Sequence, residues 1–362
     1  MTFQLDPTRI VREASDYQQK LATGLERLGR VDRDEVRLGE TPKREVYRQD
    51  KLRLYRFEPR VETPAGVPIL IVYSLVSRHT MTDLQPDRSM VRNLLDQGLD
   101  VYLIDWGYPT RADRWLTIAD HVDGYIDDCV EVIAERHRLE RIDLLGICQG
   151  GVMTLCYAAL HPSRVRNLVL TLTPVDFHAD FDEDNKDFGF VNLWQRHVDV
   201  DLIIDAFGNV PGDFMAFAFS MTKPLANLAK YGTSLVDALE DESKLAYFLR
   251  MEKWISDNPD MPAETARQWM KELYQENRLV KGTFELDGRR VSLADVTAPI
   301  LNVYAQHDHL VPPKTTSALA DHVGTDDYTE LSFPGGHIGV YVGGRSQKTF
   351  APAVADWLRA RG

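Results

Sequence analysis

The chain has 362 residues, 42 Lys+Arg against 55 Asp+Glu and a formal net charge of −13, with 44% hydrophobic and 27% charged residues. That length holds about two domains, or one large α/β domain with an insertion. The acidic balance argues against nucleic acid or an anionic membrane as the main partner, because both select clustered Lys and Arg. Three cysteines exclude a disulfide scaffold and fit a reducing cytoplasm. Met1–Pro7 lacks the pattern of a secretory signal. The longest apolar stretch, Ile69–Val76, is broken only by Ser74 and falls far short of the roughly 20 residues of a membrane span.

Arg12–Leu28 has apolar positions at helical spacing, and residues 1–45 read as a helical arm. Leu52–Phe57 alternates as an edge strand should. Pro68–Val76, Asp100–Trp106, Ile142–Ile147, Asn167–Val175 and Pro299–Ala305 are short runs rich in Val, Ile, Leu and Tyr, the pattern of strands buried on both faces. Helix-length segments, Arg88–Gln97, Leu116–His137 and Gly151–Leu160, lie between most of them. Such alternation predicts a mostly parallel sheet flanked by helices. Tyr328–Phe333 supplies a last strand and Gln347–Ala360 a closing helix.

The alternation stops between Val175 and Pro299, where helical patterns such as Leu245–Ile255 and Ala263–Glu276 dominate. We therefore assign residues 46–175 and 290–362 to an α/β core and 176–289 to a helical cap. Insertions after parallel strands stand where such sheets bind ligands. Phe207, Phe214, Met215, Phe217, Phe219 and Met221 cluster inside the insertion. Subdomain core is the first reading of that cluster, and an acyl-lining surface the second.

Gly146-Ile147-Cys148-Gln149-Gly150-Gly151 follows a predicted strand and opens a predicted helix. It has the G-x-nucleophile-x-G form of the nucleophile elbow found in α/β-hydrolase folds, with cysteine where serine is usual. The helix N-terminus favours a thiolate and then an oxyanion, for which the Gln149 N–H is the expected donor. Cys129 and Cys156, inside predicted helices without glycine neighbours, read as core. A nucleophile needs a base and the base an orienting group, which follow it in the order acid, then His. Pro299–Ala305 runs into Asp308, and Tyr328–Phe333 into His337 within Gly335-Gly336-His337-Ile338-Gly339. Asp308 and His337 thus hold the acid and base positions, with Asp176 as the fallback acid. Metal binding by His307, His309 and His337 is the weaker alternative, because no acidic or Cys ligand cluster accompanies them. An acyl-cysteine is itself a thioester, so exchange with a thioester carrier is nearly reversible, and it yields readily to an alcohol. Acyl transfer from coenzyme A to an alcohol, under a lid that excludes water, is the reaction this chemistry fits.

These motifs, together with Asp105-Trp106-Gly107, Thr173-Pro174-Val175-Asp176-Phe177, Arg250-Met251-Glu252-Lys253-Trp254 and Asp308-His309-Leu310-Val311-Pro312, resemble those of the polyhydroxyalkanoate synthases, specifically the two-component class III kind. The resemblance covers the chain from about Thr41 onward. It implies an α/β-hydrolase fold with a cap, and polymerisation of (R)-3-hydroxyacyl-coenzyme A, most simply 3-hydroxybutyryl-CoA. Cys148 matches the family nucleophile, His337 the histidine that activates it, and Asp308 the aspartate that helps activate the 3-hydroxyl. His309 is implied as supporting, and Val76, after the third strand, as the source of a second oxyanion N–H. Coenzyme A is then substrate and product, with no resident cofactor and no metal. A second synthase subunit, homodimerisation and residence on cytoplasmic polyester granules are also implied. The length fits, since classes I and II carry a long extra N-terminal domain.

This chain departs from the family where Asn-Arg-Pro-Tyr is usual and Ser77-Arg78-His79-Thr80 stands instead. Losing proline frees an N–H and φ, and losing tyrosine removes an aromatic wall. Two other functions fit less well. A Cys-dependent hydrolase resembling dienelactone hydrolases belongs to much shorter chains without a large lid, and a non-catalytic granule-binding protein has no need of all three residues.

Overall fold

The computed structural model describes residues 7–32, 34, 36–64, 66–180, 197–222 and 234–361. One sheet of eight strands organises the molecule: β1 (Lys43–Gln49), β2 (Leu52–Phe57), β3 (Pro68–Val72), β4 (Asp100–Asp105), β5 (Ile142–Ile147), β6 (Val165–Thr171), β7 (Ile300–Ala305) and β8 (Tyr328–Phe333). Their order is β1-β2-β4-β3-β5-β6-β7-β8. Only β2 runs against the others, pairing antiparallel with both β1 and β4, and all pairs from β4 to β8 are parallel. This is the mostly parallel sheet that the alternation predicts.

Every residue of β3, β4 and β5 is buried, as continuous apolar runs require when helices cover both faces. Alternate side chains feed two separate cores. Leu70, Leu144 and Leu168 pack with Ile126, Val130 and Leu155 on one face. Ile69, Ile71, Leu145 and Val169 pack with Val91, Leu94, Val354 and Leu358 on the other. The principal helices are α1 (Pro7–Arg30), α2 (Met90–Asp96), α3 (Asp127–His137), α4 (Gln149–Leu160), α5 (Val200–Phe207), α6 (Gly212–Ser220), α7 (Glu242–Ile255), α8 (Ala263–Arg267) and α9 (Ser346–Arg359), with short helical turns at Leu235–Ala238, Pro313–Ser317 and Gly339–Val342.

Several expected elements change. Leu52–Phe57 is not the edge, because β1 pairs outside it across a hairpin whose turn places Asp50 at φ +50°. β1 is rich in Lys, Arg and Glu and largely exposed, so it carries no alternation to read. The runs Pro68–Val76 and Asn167–Val175 end as strands at Val72 and Thr171. Tyr73–Leu75 and Leu172–Val175 remain buried, but in loops. Leu116–His137 begins as a π-helical turn, Asp120–Ile126, before α3. The arm is helical over Pro7–Arg30 and rests on the insertion. Gly24 lies so close to Leu239 that a Cβ there would stand 2.3 Å from it, and the Arg27 guanidinium donates to the Leu239 carbonyl at 2.8 Å.

Between β6 and β7 the described segments are mainly helical, α5 to α8 with a π-helical continuation, Gln268–Gln275. The Phe and Met cluster divides. Met215 is buried, while Phe207 and Phe217 are 56% and 61% exposed, so subdomain core accounts for only part of it.

Candidate active site

Cys148 joins the end of β5 to the start of α4 at φ +54°, ψ −116°. A non-glycine residue held there costs of order 1–3 kcal/mol and persists only when its surroundings over-determine it. The Cys148 N–H donates to the Thr171 carbonyl at 2.9 Å, and the Cys148 carbonyl accepts from Gly151 N–H at 3.0 Å. The glycines leave no alternative. A Cβ on Gly146 would meet Thr154 Oγ1 at 2.3 Å, on Gly150 the Val72 carbonyl oxygen at 2.0 Å, and on Gly151 Thr173 Oγ1 at 1.9 Å. The turn thereby lifts a partly exposed thiol off the sheet, whereas Cys129 and Cys156 are wholly buried. Burial pushes the Cys156 thiol up to about 12 and the Cys129 thiol higher still, which leaves both inert near neutrality.

Asp308 and His337 come together from the loops after β7 and β8, with His337 Nδ1 2.7 Å from Asp308 Oδ2. The other carboxylate oxygen accepts the N–H groups of Leu310 and Val311 at 2.9 and 3.0 Å. Both oxygens are therefore occupied, and the carboxylate is held square to the imidazole. Burial opposes a charge on His337, but Asp308 and the nearby Cys148 outweigh this and raise it to about 10. Imidazole and carboxylate are thus joined by a hydrogen bond, with the thiol close enough to act on the imidazole's charge. Asp176 serves elsewhere, accepting from the His178 N–H and the Asn277 amide. His309 is exposed, at the rim of a cavity. Among the described residues no three His, Cys, Asp or Glu side chains are grouped as metal ligands would be.

That cavity, about 110 Å³, opens beside the elbow. Val76 and Gln149 line it on the sheet side, and Met215, Phe219, Trp269, Met270 and Tyr274 on the insertion side, with His309 and Leu310 beside them. Its wall is overwhelmingly apolar, so it accepts hydrocarbon rather than a charged group. The Trp269 indole N–H is buried there without an acceptor. Burial pushes the phenols of Tyr73, Tyr274 and Tyr341 upward, and the charge of Cys148 adds to this, so neutral hydroxyls surround the thiol. Val76 N–H is already engaged, donating to Ser74 Oγ at 3.0 Å. Sequence reasoning missed Ser74 and Trp269. Ser74 had a signal, as the lone polar residue in an apolar run; Trp269 had none.

The departing loop is pinned without its proline. The Arg78 guanidinium bonds Asp105 at 2.8 Å and the Gly107 carbonyl at 2.9 Å and lies 4.3 Å over the Tyr108 ring. The Trp254 indole N–H donates to the Arg78 carbonyl at 2.8 Å, and Ser77 Oγ to Asn258 Oδ1 at 2.9 Å. Burial works against a charged Asp105, yet His79 and Arg78 overcome it and hold the carboxyl well below the usual carboxylate range.

Comparison with known proteins accords with this geometry. The family described as "alpha/beta hydrolase fold" matches residues 67–343. The poly(3-hydroxyalkanoate) polymerase subunit PhaC of Synechocystis sp. is 49% identical over 97% of this chain and 93% of its own length. The subunit of the same name from Allochromatium vinosum is 47% identical over 98% of each chain. Among solved structures, a monoacylglycerol lipase from Paleococcus ferrophilus superposes with a TM-score of 0.51 at 15% identity, covering 86% of this chain and 100% of the lipase, a likeness of fold alone. With near-complete coverage at almost half identity, the chain belongs to the poly(3-hydroxyalkanoate) polymerase subunit family, on the α/β-hydrolase fold.

Proposed function

We infer that the protein is an acyltransferase that polymerises (R)-3-hydroxyacyl groups, 3-hydroxybutyryl first among them, with release of coenzyme A. The observation that carries this reading is a partly exposed cysteine at the elbow, acting on a histidine that Asp308 orients at 2.7 Å, with its neighbour Gln149 lining an apolar cavity of about 110 Å³.

His337 takes the thiol proton, and Cys148 Sγ attacks the thioester carbonyl. The tetrahedral oxyanion collapses as the C–S bond to coenzyme A breaks, and His337 returns its proton to the departing thiolate. Elongation repeats the chemistry with an oxygen nucleophile. The 3-hydroxyl of an incoming 3-hydroxyacyl-CoA loses its proton to His337 and attacks the chain's thioester on Cys148, a C–O bond forming as the C–S bond to Cys148 breaks. The freed Cys148 thiolate then takes the lengthened chain from its coenzyme A thioester, and His337 gives its proton to the departing coenzyme A thiolate. Both Asp308 oxygens are taken up by His337, Leu310 and Val311, which favours action through the imidazole over direct contact with the hydroxyl. Coenzyme A enters as substrate and leaves as product, and none of these steps asks for a resident cofactor or metal.

A growing polyester is insoluble, which fits work at the surface of cytoplasmic granules; that location, a second synthase subunit and homodimerisation are what the resemblance to the class III polyhydroxyalkanoate synthases implies. Exposed Phe207, Phe217 and Trp115 support such contacts. Among the described residues no helix is long and apolar enough to cross a membrane. The test is to supply 3-hydroxybutyryl-CoA, with and without a candidate second subunit, and to size the product. Polymer supports this reading; free acid with stoichiometric coenzyme A would assign the chain to the Cys-dependent hydrolases.

A further inference from the structure

Ser74 follows β3 by two residues and is almost wholly buried. Its hydroxyl oxygen accepts the Val76 N–H at 3.0 Å, and its proton goes to the Gln149 side-chain carbonyl at 3.2 Å. The first bond alone is the ordinary local turn that serines form with the backbone two residues on. The second is not local, since Gln149 lies 75 residues away in sequence and begins α4. One hydroxyl therefore ties together the two residues whose main-chain N–H groups would receive an oxyanion formed over Cys148. The Val76 N–H cannot donate to that oxyanion while Ser74 Oγ holds it. Its release needs only a turn about the Ser74 Cα–Cβ bond, from one staggered well to another.

We propose that Ser74 is a latch on the oxyanion hole. In the resting enzyme the hydroxyl caps the Val76 N–H and is itself anchored by Gln149, so a single donor, the Gln149 N–H, faces the site. Acylation requires the hydroxyl to rotate away, and the second donor joins as negative charge builds on the thioester oxygen. Ser74 is a positioning residue here, acting through Val76. The proposal rests on the reading of Cys148 as the acyl acceptor.

The experiment measures single-turnover release of coenzyme A from 3-hydroxybutyryl-CoA in the parent, Ser74→Ala and Gln149→Met, beside alkylation of the thiol by iodoacetamide, which builds no oxyanion. Ser74→Ala leaves the Val76 N–H free from the start, and acylation accelerates about fivefold, the worth of one ordinary hydrogen bond. Gln149→Met keeps its N–H but loses the anchor, so acylation accelerates by a smaller factor. Alkylation rates stay at the parent value in Ser74→Ala, which separates an oxyanion effect from a general loosening of the elbow. Unchanged or slower acylation in Ser74→Ala overturns the latch, as does an equal acceleration of alkylation. Failure of the parent itself to release coenzyme A would instead overturn the acyl-transfer reading.

Discussion

The carboxyl edge of the sheet and the helical insertion above it are built to different standards. At the sheet edge, Gly146, Gly150 and Gly151 each sit where a single added carbon would fall within 2.3 Å of a neighbour, and β3, β4 and β5 have no exposed residue. In the insertion, α5 and α6 turn large apolar side chains outward, Leu202, Phe207 and Phe217 among them. The cavity wall passes from one region to the other, from Val76 and Gln149 to Met215, Phe219 and Trp269. We propose that the contrast separates two tasks: the backbone of the sheet edge holds the reacting atoms, and the side chains of the insertion choose what reaches them.

Substitutions can test that division. The largest effect belongs to Cys148→Ala, which should cut coenzyme A release from 3-hydroxybutyryl-CoA by about 10⁴-fold or more, as removing a covalent nucleophile does. His337→Ala should follow with a loss of about 10²–10⁴-fold in acylation, measured in single turnover. Gly150→Ala should cost about 3 kcal/mol or more in urea unfolding, since its Cβ meets main chain rather than a movable side chain. Trp269→Phe removes the buried indole N–H together with part of the ring's buried volume, so the thermal midpoint should fall by a few degrees. It should also lower the preference for 3-hydroxybutyryl-CoA over butyryl-CoA about tenfold; unaltered preference would detach the insertion from selectivity.

The smallest effect is one of pH. His337 rises from 6.5 to about 10 on folding, so the stability it contributes is fully present below about pH 6.5 and is lost as pH rises through about 10. The gap in thermal midpoint between the parent and His337→Gln should narrow over that window. A gap that widened with pH would contradict the imidazolium assignment.

Much of the candidate site's arrangement is legible in the chain. An elbow announces itself because sterics demand glycine on both sides of the nucleophile, and Asp308 and His337 are readable from the strands that deliver them. Strand ends were not, since Leu75 and Val175 are as apolar as β3 and β6 but are buried in loops. β1 escaped because its charged residues face solvent on both sides of a hairpin. The Phe and Met cluster was misjudged as a unit, because spacing decides the face: Met215 and Phe219 lie one helical turn apart toward the cavity, and Phe217 between them points away. The engagement of Val76 was invisible for a deeper reason. A main-chain N–H leaves no mark in sequence, and only its partner Ser74 does, as a polar residue where none is expected.

The central claim is that the polyester grows as a thioester on Cys148. Quenching the enzyme in acid during turnover of 3-hydroxybutyryl-CoA and measuring the mass of the intact chain and its peptides tests this directly. The account predicts a series of adducts, one to several 3-hydroxybutyryl units, confined to the Cys148 peptide, released by neutral hydroxylamine and absent from Cys148→Ala. Polymer accumulating while Cys148 remains unmodified, or adducts on another residue, would contradict it.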